Sequence, residues 1–283
     1  MRDDGTDDYL WHVVDKLDDL ARDHMRWMQD SKVVDGSAID HDDRQFTIMS
    51  MRELIDSPVK AALDCIYLAC ASLLDQRRVR GVGHPSLSRS AITAGTTALW
   101  LLDDDVLIRR TRALQLARAQ CFAERTYVDE LPSTKDQSAI DQYTRTRRIR
   151  EAEVIADGRR LGIEEAIVKK KPKDAVIVRE GATRIPDSLL DGRPAAAMVL
   201  SEWRLLSGWA HGFLWPVRYT SVPDLRPEGQ RFDNFKISMS LERYLGGLHI
   251  AFTAVRVAMD RFAPLAGIAT PPHPQPWDHS YFD

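Results

Sequence analysis

The chain has 283 residues, of which 44% are hydrophobic and 29% charged, enough to bury a sizeable core as one large domain or two modest ones. A formal net charge of −3 excludes a strong overall pull toward nucleic acid or an anionic membrane. Cys65, Cys70 and Cys121 make no CxxC pair and no even framework, and the start "MRDDGTDDYL" is acidic, the reverse of a secretory leader; both point to a cytoplasmic protein with reduced thiols.

Residues 1–8 read as a disordered acidic N-terminus. Apolar positions 10, 13, 14, 17, 20 and 21 then mark a helical stripe. A polar loop follows, then a helix near 44–55. Ser57 as N-cap with Pro58 at the first helical position predicts the start of another helix. Its apolar run, 61–74, is short and interrupted by Asp64, so it reads as a core helix rather than a membrane span. Pro85 opens a helix to about 102, the next runs from about 105 to 130, and Ser133 with Asp136 signals a charged helix to about 161.

The segment 162–193 mixes a basic run, a short β-branched run and several breakers, and is read as a loop or short β excursion. Pro194 opens a helix that Pro216 should end. After a loop at 217–235, a last helix occupies 236–262. Residues 9–262 therefore read as a single helical domain, and 263–283 as a proline-rich tail. With no repeats and few strand patterns, the expected fold is an all-α multi-helix bundle.

Few signatures of chemistry are present. The eight histidines form no HExxH and no Cys/His cluster, so neither metal nor cofactor is expected. "DHDD" at 40–43 reads as a solvated loop capping the next helix. "GVGHP" at 81–85 reads as a turn, and no GxSxG elbow occurs. Trp100, Trp203, Trp209 and Trp215 follow apolar stripes and read as core.

Basic runs stand at 109–118, 145–150 and 168–173. From 143 to 173, ten Lys and Arg face five Asp and Glu. Such clustering can follow a phosphate backbone, which makes Arg147, Arg148, Lys169, Lys170 and Lys171 candidate RNA contacts; the competing reading is a solvated helix face.

The most pointed stretch is "EWRLLSGWAHGFLW", 202–215. At about 100° per residue, Arg204, Ser207 and His211 fall on one helical stripe. Imidazole exchanges protons near neutral pH and guanidinium holds phosphate, so the stripe carries the minimum for cleaving RNA without metal. A two-fold dimer facing two such stripes would supply both an acid and a base. The competing reading is a buried polar set bonded to neighbouring helices. A Ser–His hydrolase would need an orienting carboxylate, and Glu202 lies off that face.

Residues 87–118 and 202–215 resemble a group of uncharacterised actinobacterial all-helical proteins with an R…WLL…R helix pair and a later L-S-x-x-x-H-G helix. This chain departs from that pattern at Thr93, where glutamate is common, and near Trp203, where tyrosine is. Arg204 and His211, with six residues between, also resemble the motif of HEPN domains. That resemblance implies a HEPN-like dimerising bundle and a metal-independent ribonuclease of toxin or phage-defence type. Arg204, Ser207 and His211 would then be catalytic, and Arg89 would contact substrate. Leu205 stands where active members usually carry a polar residue. The alternative is a non-catalytic helical binding protein in which the stripe is structural.

Overall fold

The computed structural model describes residues 4–130, 137–170, 172–220 and 239–272. Among these residues all regular structure is helical and there is no strand. The helices are α1 (Asp4–Asp30), α2 (Ala38–Asp43), α3 (Met51–Gln76), α4 (Gly83–Leu101), α5 (Val106–Asp129), α6 (Gln137–Arg160), α7 (Glu165–Val168), α8 (Asp174–Ala182), α9 (Ala195–Ala210), α10 (Trp215–Thr220) and α11 (Leu241–Ala266). A 3₁₀ turn spans Asp187–Leu190.

The core is built on α3, α4 and α11, which pack on one another. Helix α11 is apolar over most of its circumference, from Tyr244 and Leu248 to Met259 and Phe262, and all of these are buried. A helix that is hydrophobic all round must be enclosed, and α11 is the central rod. Helix α1 covers α3. Helices α8 and α9 cover α4, and α5, α6 and α7 form a hairpin-like layer beside them. Helix α3 is long and apolar enough to cross a membrane by length and composition. In the fold, Leu54, Ile55, Val59, Leu63, Ile66 and Leu73 bury its apolar face, so it is a core helix.

Several boundaries differ from the sequence reading. The first helix begins at Asp4, inside the acidic stretch expected to be disordered. The two helices expected on either side of Ser57 are one. Ser50 and Glu53 form a reciprocal capping box at its start, and Pro58 lies inside the helix. A complete capping box satisfies two orphan donors, a stronger start than Ser57 and Pro58 provide. The last helix runs past 262 to Ala266, and Gly267 at φ 72° closes it.

The segment 162–193, expected as a loop or short β excursion, holds α7, α8 and the 3₁₀ turn. Its β-branched run is helical because Ile177, Val178, Gly181 and Ala182 form a stripe buried against α4. Tertiary burial outweighs the few tenths of a kcal/mol by which Val and Ile disfavour helix. Gly181 sets the approach: a Cβ there would run into the Thr96 carbonyl.

The "DHDD" stretch is also not a solvated loop. Asp42 is wholly buried in α2 and accepts from Arg109 Nε at 2.6 Å and Arg110 Nε at 2.7 Å. Arg109 donates its other arm to the Asp103 carbonyl at 2.7 Å. Arg112 reaches Asp103 and Glu180, and Arg118 reaches Glu151. The basic run 109–118 is therefore a set of clamps that tie α5 to its neighbours.

Candidate functional site

Helix α9 starts behind Pro194 and buries Val199, Leu200, Leu206 and Trp209 against its neighbours. Its outer face carries Arg204, which is exposed, and Ser207, which is half-buried. His211 is the C-cap, exposed, with its backbone N–H donated to the carbonyls of Ser207 and Trp209. The helix ends there because Gly212 turns to φ 69°. Pro216, expected to end it, lies in the first turn of α10 instead.

Arg89 of α4 meets this stripe. Its Nε donates to Ser207 Oγ at 2.8 Å, and its guanidinium lies 5.4 Å from the centre of the Trp203 ring. Ser207 Oγ in turn donates to the Trp203 carbonyl at 2.6 Å. Trp203 Nε1 donates to Thr93 Oγ1 at 2.8 Å, and Thr93 Oγ1 donates to the Arg89 carbonyl at 2.9 Å. Arg89, Ser207, Trp203 and Thr93 thus close a ring of contacts across the α4–α9 seam.

A cation–π contact with Trp203 and one hydrogen bond hold the Arg89 guanidinium, a fork of the kind that binds phosphate. From 203 to 220 the chain carries Arg204, His211 and Arg218 and no Asp or Glu. Glu202 faces away and pairs with Arg243 of α11 at 2.5 Å. That ion pair engages the carboxylate nearest in sequence to a Ser207–His211 couple.

The other candidate contacts lie elsewhere. Arg147 is half-buried and pairs with Glu124 at 2.7 Å, and Lys169 pairs with Glu165 at 2.5 Å. Arg148 and Lys170 are exposed. Lys171 lies outside the described residues. These groups sit on α6 and at the α7 end, which pack on α5, whereas α9 packs on α4, α8 and α10. The structure brings Arg89, Arg204, Ser207 and His211 to one face and leaves the basic runs on another layer.

One group escaped the sequence reading. Beyond Gly212, Phe213 is 54% exposed, Leu214 74%, Trp215 41% and Tyr219 80%. Reading the helix through to Pro216 placed Trp215 in the core. Trp100 and Trp209 are buried, Trp203 is half-buried, and Trp215 faces solvent. The signal available was "HGFLWP", a glycine and a proline bracketing an apolar run, which marks a turn rather than a continuing helix.

Among the described residues no group of three or more His, Cys, Asp or Glu is placed to hold a metal ion. Compared with family models, with curated proteins and with solved structures, the chain matches none.

Proposed function

We propose that the α4–α9 face acts on RNA as a HEPN-like, metal-independent ribonuclease, in a cytoplasmic toxin or phage-defence role. The observation that supports this most is the fixed Arg89 guanidinium at Ser207, beside an exposed Arg204 and an exposed His211. His211 takes the proton of a ribose 2′-hydroxyl as that oxygen attacks phosphorus. Arg89 and Arg204 stabilise the charge that develops on the phosphoryl oxygens. The 5′-oxygen leaves with a proton from a second acid, which a homodimer presenting another copy of the stripe would supply. The products are a 2′,3′-cyclic phosphate and a 5′-hydroxyl.

Matched RNAs with free and with methylated 2′-hydroxyls test the mechanism. The proposal expects cleavage of the first alone, with a cyclic phosphate end. Cleavage of both, or of neither, overturns it.

A second reading has its own support. The Arg89–Ser207–Trp203–Thr93 ring is self-contained, and the 109–118 run, Arg147 and Lys169 are paired with carboxylates. In that reading the protein is a non-catalytic helical binding protein and the ring is a structural seam.

A further inference from the structure

The exposed rings that follow the stripe form two pairs. His211 and Phe213 lie with centroids 5.7 Å apart at 38°, and Trp215 and Tyr219 lie 6.0 Å apart, edge to face. The Trp215 indole is seated on Gly208: a Cβ at 208 would come within 2.7 Å of its Cζ2 and 2.5 Å of Pro216 Cγ. Only a glycine admits this contact, so the indole is held on the end of α9 while its remaining surface faces solvent. Gly212, at φ 69°, lies between the two members of the first pair and directs the chain from α9 toward α10.

Solvated apolar rings in such density mark a binding surface rather than scattered exposure. The charge around them decides what binds. Arg204, His211 and Arg218 are all exposed, and 203–220 contains no carboxylate. Direct two-fold contact between copies through this patch would set these cations against their own equivalents, so the dimer that the ribonuclease reading needs faces its stripes across bound phosphate rather than ring to ring. A protein partner would have to bring a matching acidic face. Single-stranded nucleic acid brings both required chemistries at once, with phosphates for the cations and unpaired bases for the rings, because every base has a face to stack.

We propose that Phe213, Trp215 and Tyr219 form a base-stacking platform for single-stranded RNA, laid beside the Arg89–Arg204–His211 face. The platform rests on the reading of that face as an RNA site, but binding and cleavage are separable.

The test is binding of labelled oligouridine, and of the same strand in a duplex, to the full chain and to Phe213→Ser and Tyr219→Ser. Both side chains are largely solvated, so these variants keep the fold, which circular dichroism checks. Wild type should prefer the single strand, and each substitution should weaken binding by about tenfold or more, the loss of one base–ring stack. Equal affinity for strand and duplex, or ring variants that bind as wild type does, would overturn the platform. Ring variants that change only the sedimentation coefficient would assign the patch to a second copy and also overturn it. Wild-type binding without cleavage would leave the platform standing and remove the ribonuclease reading.

Discussion

Trp203 of α9 gives its indole proton to the hydroxyl of Thr93 on α4, 2.8 Å away, and the same hydroxyl gives its own proton to the Arg89 carbonyl. One threonine therefore both receives the indole and ties back to the residue whose guanidinium covers that indole. The geometry of the candidate site depends on this seam.

Thr93→Val keeps the shape and removes the hydroxyl. The Trp203 N–H is then left half-buried without its partner, a loss of about 1–2 kcal/mol. Urea unfolding should show it, and a cycle with Trp203→Phe should find the two substitutions coupled. Strict additivity would mean that the bond contributes nothing.

Arg89→Lys retains the charge but loses the Nε bond to Ser207 and the guanidinium's place over the Trp203 ring. If Arg89 holds substrate phosphate, the variant should lose RNA affinity while melting near the wild-type temperature. If the residue is only a seam, the melting temperature should fall and RNA affinity should stay unchanged.

Asp42 is the buried hub for Arg109 and Arg110. Asp42→Ala strands the Arg109 guanidinium, itself 3% exposed, without its counter-charge. Removing one partner of a buried ion pair costs about 3–5 kcal/mol. The expected result is a large drop in the urea midpoint, and an unchanged midpoint would refute the hub.

His84 predicts a pH dependence. Its Nδ1 accepts the Arg80 backbone N–H at 2.7 Å, and burial, with Arg80 adding to it, holds its pKa below the ordinary value near 6.5. The unfolded chain therefore takes up this proton at higher pH than the folded chain does. The stabilising contribution is full above about pH 6.5 and is lost as pH falls from there toward the lowered pKa. His84→Asn keeps an acceptor for Arg80 without titrating. Its unfolding free energy should vary less between neutral and mildly acidic pH than that of wild type, and an equal slope would exclude His84 as the source.

Helical class and most helix positions are legible, α1 from its apolar stripe and α4, α5 and α11 from the prolines, caps and breakers near their ends. What spacing does not show is partnership over long separations. Asp42 looks like part of a solvated acidic loop until Arg109 and Arg110 are seen to close on it. The 175–178 run looks like a strand until α4 supplies a surface for one helical face. The Arg204, Ser207, His211 stripe is visible as a repeat, but the arrival of Arg89 at Ser207 needs the α4–α9 packing. The ring patch was hidden by one misplaced helix end, at Gly212 rather than Pro216, which turned Trp215 from solvent toward an imagined core.

The most direct measurement is RNA cleavage in EDTA by purified wild type beside Arg204→Ala and His211→Ala, both at exposed positions, with folding of each confirmed by circular dichroism. The account predicts cleavage by wild type and its loss in both folded variants. No cleavage by wild type, or undiminished cleavage by folded His211→Ala, would contradict it.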